Sequence, residues 1–247
     1  MAIYRLGSGL GFPPADHAEP SGLLAVGGDL RPERLLAAYG AGIFPWFGPG
    51  QPILWHAPDP RMVLGLDQLH VGRTLRKALR GRRFRVELDG AFAEVIGHCA
   101  NRERPGQQGT WITSGMQRAY IRLHALGFAH SVEAYRDDRL VGGLYGVSLG
   151  RAFFGESMFS LESEASKVAL CHLVGELQVR GFHFVDCQVH TDLFESLGAR
   201  PIARGEFQRK LGQAMIFPTQ QGPWRWSTQD GLAPLPRQAD VQGDAQP

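Results

Sequence analysis

The run Phe153-Phe154-Gly155-Glu156-Ser157-Met158-Phe159-Ser160 leads within a few residues into Ala165-Ser166-Lys167. An aromatic, apolar stretch of this length reads as a strand. The segment behind it, with Ala165, Ala169, Leu173 and Leu177 at i+4 spacing, reads as a helix over about residues 163–180. The fold must therefore be built around a strand–helix unit in which one carboxylate, Glu156, lies among apolar neighbours. Burying a carboxylate is costly unless it is paired or used. Strict alternation puts Phe154, Glu156 and Met158 on one face and Phe153, Ser157 and Phe159 on the other. Two readings of Glu156 stay open, a structural ion pair with Lys167 or a reacting group.

The surrounding pattern divides the chain. Residues 1–61 are rich in Gly, Pro and aromatics, as in Phe12-Pro13-Pro14 and Gly42-Ile43-Phe44-Pro45-Trp46-Phe47, with one clear helix opened by Pro32 and stopped by Gly40. This reads as a small N-terminal domain packed by aromatics. Residues 62–217 alternate helices and strands. Leu75 and Leu79 line a basic helix, and Phe84 to Leu88 alternate as a strand. Asp89 is placed to cap a helix carrying Phe92, Val95, Ile96 and Cys99. Met116, Tyr120 and Leu123 mark another helix, followed by strands over about 131–136, 140–147 and 151–159, the long helix, and a strand over 182–188. The order fits an α+β fold or a mixed α/β sheet; an α+β fold with a mixed, mainly antiparallel sheet of the N-acetyltransferase-like kind matches it best among several. Residues 218–247, rich in Gln, Gly, Pro and Asp, read as a poorly ordered tail.

Composition excludes several classes. No apolar run reaches the roughly 20 residues that span a bilayer, and Met1-Ala2-Ile3-Tyr4-Arg5 does not begin a signal peptide. Three cysteines without C-x-x-C pairing make a disulfide framework improbable and point to a reducing cytoplasm. H-E-x-x-H, P-loop and G-x-S-x-G motifs are absent, and the scattered histidines make no zinc pattern. The net charge of +2 implies no partner by itself, but Arg73, Arg76, Lys77, Arg80, Arg82, Arg83 and Arg85 crowd one segment that has no acid. Such a block is either a solvated face or a seat for a phosphate backbone.

In the 182–188 strand, Asp186 and Gln188 share a face roughly 7 Å apart, a spacing that lets both serve one substrate group. The plainer alternative is two polar residues at a strand end. Trp46 and Trp111 sit in loop-like segments, where aromatics serve either as packing or as platforms for a base. The turn between Ser160 and Ser166 holds no glycine. That argues against the backbone cradle with which acyl-CoA acyltransferases of this fold hold a pyrophosphate. An acyl-CoA N-acyltransferase and a non-catalytic RNA-binding module, using the basic helix and the loop tryptophans, are two functions these residues leave open.

Seven phrases, taken in order, resemble the bacterial leucyl/phenylalanyl-tRNA–protein transferases. They are Gly22-Leu23-Leu24-Ala25-Val26-Gly27-Gly28-Asp29-Leu30, Gly42-Ile43-Phe44-Pro45-Trp46, Pro58-Asp59-Pro60-Arg61, Gly109-Thr110-Trp111-Ile112, Leu140-Val141-Gly142-Gly143-Leu144-Tyr145-Gly146, Gly155-Glu156-Ser157-Met158-Phe159-Ser160 and Asp186-Cys187-Gln188. The resemblance implies a small N-terminal domain joined to an acetyltransferase-like domain. It also implies transfer of Leu, Phe or Met from Leu-tRNA, Phe-tRNA or Met-tRNA to proteins with N-terminal Arg or Lys, which marks them for N-end-rule degradation. No metal or organic cofactor is implied.

It further implies that Asp186 and Gln188 deprotonate and orient the attacking amine, with Glu156 as a nearby acid that helps to hold the substrates. Leu144, Phe153, Met158, Leu173, Leu177 and Val185 would line a pocket for the transferred side chain. Tyr39, Trp46, Trp111 and Tyr120 would meet the terminal adenosine or the acceptor peptide. Arg73, Arg76, Lys77, Arg80, Arg82 and Arg83 would seat the tRNA acceptor stem. His56, Thr191 and Leu144 depart from the residues common in the family, which have Trp, Asn and Met there.

Overall fold

The computed structural model describes residues 3–101, 110–227 and 234–237; Gly109 of the fourth phrase lies outside them. The elements are β1 (Tyr4–Leu6), β2 (Leu23–Gly27), α1 (Pro32–Gly40), β3 (Phe44–Pro45), β4 (Leu54–His56), β5 (Arg61–Gly65), α2 (Arg73–Arg80), β6 (Arg85–Leu88), α3 (Phe92–Ala100), α4 (Ser114–Ala125), β7 (Ala129–Arg136), β8 (Arg139–Leu149), β9 (Ala152–Ser160), α5 (Ala165–Val179), β10 (Phe184–Gln188), α6 (Asp192–Ser196), β11 (Arg200–Ile202) and α7 (Arg204–Met215). A four-stranded sheet runs β1-β2-β4-β3 and a seven-stranded sheet runs β11-β5-β10-β9-β8-β7-β6. The chain leaves the first sheet after β4 and enters the second with β5.

The large sheet is antiparallel except where β10 pairs parallel with β9. Three antiparallel strands, a long helix and a parallel return strand are the layout expected of an acetyltransferase-like domain. One face carries the small sheet with α1, α3, α4 and α7, in a core running from Leu24, Leu35 and Trp55 to Tyr145, Phe154 and Phe207. The other face carries α2 and α5, against Leu144, Phe153 and Val185. Helix α5 lies close on β8 because Gly142 has no side chain. A Cβ there would stand 2.5 Å from the Ala165 Cβ, a distance that no packing tolerates.

Two β-bulges break the alternation read from the sequence. In β9, Tyr145 pairs with Ser157 but Gly146 pairs with Gly155, which leaves Glu156 as the extra residue. The bulge turns the strand over, so Phe153 and Met158 join the α5 face while Phe154 and Phe159 join the opposite one. In β10 the register against β5 shifts between Asp186 and Gln188, and Gln188 adopts a left-handed φ of 56°.

Other expectations are corrected by local chemistry. Asp89 does not cap α3, which begins after Ala91 without a side-chain cap. Its carboxylate instead accepts from the backbone N–H groups of Ser131 (2.9 Å) and Trp224 (2.8 Å) and faces His130 Nδ1 at 2.8 Å. Lys167 pairs with Glu164 at 3.0 Å, not with Glu156. Of the tail expected to lack order, residues 228–233 and 238–247 lie outside the described residues, but Thr219, Gln221 and Gly222 bond to the turns after β8 and α4, and Ser227 and residues 234–237 pack along α5. Trp224 is only 3% exposed, stacked on His130 with ring centroids 3.8 Å apart. No helix among the described residues is long and apolar enough to cross a membrane.

Candidate active site

The parallel ladder between β9 and β10 ends at the pair Asp186–Phe154. Beyond it the strands part at their two bulges, and a cleft of about 360 Å³ opens there. Its walls are Phe44, Pro45, Trp46 and Trp111, together with Glu156, Ser157 and Met158 from β9, and Cys187, Gln188 and Val189 from the end of β10. Thr191, Leu193 and Phe194 come from the start of α6. Among these residues Glu156 is the one carboxylate. The split between two strands is thus what creates room for a ligand, and the bulges are what aim Glu156 and Gln188 into it.

Glu156 is held from behind. The Tyr39 hydroxyl of α1 donates to Glu156 Oε1 at 2.6 Å, and the Tyr39 and Tyr120 hydroxyls are themselves hydrogen-bonded. Gln188 Nε2 donates to the same oxygen at 3.4 Å. Burial pushes the Glu156 carboxyl up to about 7, against the phenol hydrogen bonds that favour its charged form. Burial also raises Tyr39 and Tyr120 well above the ordinary phenol range, so both stay protonated donors at neutral pH.

Asp186 sits one layer deeper and does not reach the cleft. It is 0% exposed, and its two oxygens receive Arg61 Nε (2.8 Å) and Nη2 (2.6 Å). Oδ1 also accepts the backbone N–H of Gln188 at 2.9 Å, which pins the left-handed bulge. The Arg61 guanidinium is sandwiched between the rings of Phe44 (4.8 Å) and Phe207 (4.5 Å). The pair read as sharing one strand face is therefore split, because the bulge turns Gln188 toward Glu156 and leaves Asp186 behind the wall.

The aromatics divide in the same way. Trp46 (37% exposed) and the half-buried Trp111 line the cleft. Tyr39 and Tyr120, expected at the adenosine or the acceptor peptide, are fully buried, and their hydroxyls meet behind Glu156. Of the six residues expected to receive the aminoacyl side chain, Met158 lines the cleft, whereas Leu144, Phe153, Leu173, Leu177 and Val185 are packed into the core against α5. Leu193 and Phe194 were missed as cleft residues. They follow Thr191, whose Oγ1 accepts from the Phe194 N–H at 3.2 Å and so starts α6 at the rim. His56 packs edge-on against Trp46, and burial lowers its imidazole to about 4, so it stays neutral.

Away from the cleft, Arg73, Lys77, Arg80 and Arg82 are exposed on and after α2. Arg76 is half-buried and donates to the Val71 carbonyl at 3.1 Å, and Arg83 pairs with Glu162 at 3.2 Å. At the start of α5, the Ser166 N–H is already taken by Ser160 Oγ at 3.0 Å. That removes one of the free amides a pyrophosphate cradle would need.

Comparison with known proteins gives the same family along nearly the whole chain. Residues 63–212 match the profile described as leucyl/phenylalanyl-tRNA protein transferase, and residues 28–59 match that of its N-terminal domain. The leucyl/phenylalanyl-tRNA–protein transferase of Anaeromyxobacter sp. strain Fw109-5 is 56% identical over 224 residues, 91% of this chain and 95% of that protein. The enzyme of the same name from Myxococcus xanthus strain DK1622 is 56% identical over 213 residues, 86% of this chain and 91% of that protein. Among solved structures, a GCN5-related N-acetyltransferase-like protein from Streptococcus suis aligns at 16% identity with a TM-score of 0.34, over 66% of this chain and 61% of that one.

Proposed function

The chain belongs to the leucyl/phenylalanyl-tRNA–protein transferase family, and from that footing we propose that it moves Leu, Phe or Met from the matching aminoacyl-tRNA to the α-amino group of proteins that begin with Arg or Lys. The product would be marked for N-end-rule degradation in the cytoplasm. The observation that carries this reading is the cleft at the β9–β10 split, lined by one carboxylate, two tryptophans and several apolar side chains.

The reaction is direct aminolysis. The neutral amine attacks the ester carbonyl of the aminoacyl-tRNA and the ribose oxygen leaves. Because the ester is already activated and the amine has a pKa of about 8, positioning and one proton transfer are the main demands on the protein. Glu156 and Gln188 border the reacting space, and Asp186 fixes Gln188 from behind. Met158, Leu193 and Phe194 offer an apolar wall to an unbranched Leu, Phe or Met chain. Trp46 and Trp111 offer faces on which the terminal adenosine can stack. The basic face of α2 is the proposed seat of the acceptor stem. Residues 1–61 and 62–217 are proposed as the N-terminal and catalytic domains.

The test is transfer of labelled Leu or Phe from tRNA to a protein with N-terminal Arg. Transfer that requires N-terminal Arg or Lys is the expected result. Binding of tRNA without consumption of the ester would replace this reading with a tRNA-binding module, and acylation only with acyl-coenzyme A would replace it with an acyl-CoA acyltransferase.

A further inference from the structure

A group that takes a proton from a substrate must come within hydrogen-bond reach of it. Asp186 does not meet that condition. It is shut off from solvent, and its oxygens already receive Arg61 and the Gln188 N–H. Glu156 lines the cleft, where a bound amine can come within its reach. Resting on the transferase reading above, we propose that Glu156 is the catalytic residue that accepts the proton of the attacking amine, and that Tyr39 and Tyr120 are positioning residues that aim its carboxylate into the cleft. Asp186 and Arg61 then act through Gln188, as the buried anchor of the bulge.

The step balances without a further reagent. The amine nitrogen forms a bond to the ester carbonyl carbon and gives one proton to the Glu156 carboxylate. The bond between that carbon and the ribose oxygen breaks, and Glu156 passes the proton to the departing oxygen. The carboxylate ends as it began.

Two geometric facts favour this assignment. Tyr39 comes from α1 and Tyr120 from α4, so two separate helices converge on one carboxylate through a buried pair of hydroxyls. Such an arrangement fixes the direction of the carboxylate and leaves its cleft side for a ligand. The bulge then has a purpose, since it places Glu156 out of register with β8 and toward the phenols. The charged and titratable groups that face Glu156 are Tyr39 from α1, Tyr120 from α4 with Tyr145 of β8 beside it, Asp186 from β10 and Arg61 from β5. Burial outweighs the two phenols and Arg61, which lower the carboxyl, and Asp186 adds to the rise, so that it titrates at about 7, close to the amine it would serve.

The test uses Tyr39→Phe, which keeps the ring and deletes the donor, and Glu156→Gln. The titration of Glu156 is followed by the ¹³C resonance of its carboxyl, assigned by its absence in Glu156→Gln, alongside the transfer rate from pH 6 to 9. Loss of a donor to the charged form should move the Glu156 titration up by about one unit, which lowers the charged fraction at pH 7 about fivefold. Tyr39→Phe should therefore transfer about fivefold more slowly at pH 7 and approach the wild-type rate by pH 9, with aminoacyl-tRNA affinity unchanged. Glu156→Gln should be slow at every pH. An unshifted carboxyl in Tyr39→Phe would overturn the positioning role, and wild-type transfer by Glu156→Gln would overturn the proton-acceptor role. A wild-type protein that transfers nothing would instead count against the transferase reading, while the carboxyl titration would still decide whether Tyr39 controls Glu156.

Discussion

Arg61 donates from Nε and Nη2 to the two carboxylate oxygens of Asp186, at 2.8 and 2.6 Å, with neither side chain more than 1% exposed. A buried pair of this kind is costly to form and more costly to break, because removing one partner strands the other charge without water. Asp186→Ala should destabilise the protein by about 3–5 kcal/mol in urea unfolding. It should also lower turnover far more than tRNA affinity, since Gln188 loses the acceptor that holds its backbone. A double variant, Arg61→Met with Asp186→Leu, should recover most of the stability but not the turnover. Recovery of both would mean that the ion pair has no part in shaping the cleft.

Glu156 is an acid whose folded-state pKa stands above its unfolded one, at about 7 against 4.5. Its contribution to stability is therefore fully present below pH 4.5 and is lost as the pH rises through about 7. Glu156→Gln removes that loss. The variant should be more stable than wild type at pH 8, by on the order of 3 kcal/mol, and no more stable at pH 4.5. His130 works in the opposite sense, since burial lowers its imidazole and costs stability as the pH falls below about 6.5, but it is common to both proteins and cancels in the difference. A pH-independent difference in denaturant midpoint would refute the strain assigned to Glu156.

Much of the frame was legible in the residues. Pro32 opens α1, Met116, Tyr120 and Leu123 mark α4, and the spacing of Ala165, Ala169, Leu173 and Leu177 marks α5. The site was legible in composition but not in geometry. Period-two reasoning assumes an unbroken strand, and both strands that build the cleft are bulged at the residues that matter, Glu156 and Gln188. Arg61 could not be joined to Asp186 from local pattern, since 125 residues separate them. The strands of the small sheet are at most five residues long, too short for alternation to reveal.

Trp111 and Tyr120 separate aromatics that line the cleft from aromatics buried behind it. Trp111 lines the cleft, and Tyr120 lies wholly behind Glu156. Stacking of one base on an aromatic ring contributes about 1–3 kcal/mol. Trp111→Ala should raise the KM for aminoacyl-tRNA about tenfold or more, whereas Tyr120→Phe should leave it within about twofold. Equal rises in both would restore Tyr120 as a residue that meets the ligand directly.

The basic segment makes an electrostatic prediction that depends on which cations are uncommitted to a neighbour. Arg83 is paired with Glu162 and Arg76 serves the Val71 carbonyl, so Arg73, Lys77 and Arg80 on the exposed side of α2 are the better phosphate ligands. Replacing these three by Ala should flatten the plot of log Kd for tRNA against log salt by about 0.7–0.9 for each phosphate left without its cation. Weaker binding with an unchanged slope would place the acceptor stem elsewhere.

The C-terminal strap is predicted to be part of the stable core. Trp224 is clamped between the stacked ring of His130 and the guanidinium of Arg180, 4.5 Å from its ring, and its backbone N–H donates to Asp89. Farther along, Ser227 donates from N–H and hydroxyl to Glu176, and His172 meets the Pro234 carbonyl at 2.8 Å. Helix α5 accepts this chain at Gly175, where a Cβ would stand 2.7 Å from the Pro234 oxygen. Trp224→Ala should cost about 3–5 kcal/mol, as expected for a large buried aromatic. Gly175→Ala should lift residues 234–237 while leaving Trp224 seated, so it should cost less and expose that segment to protease first. If Trp224→Ala proved neutral in urea unfolding, the α5 face would owe its stability to the helix and sheet alone.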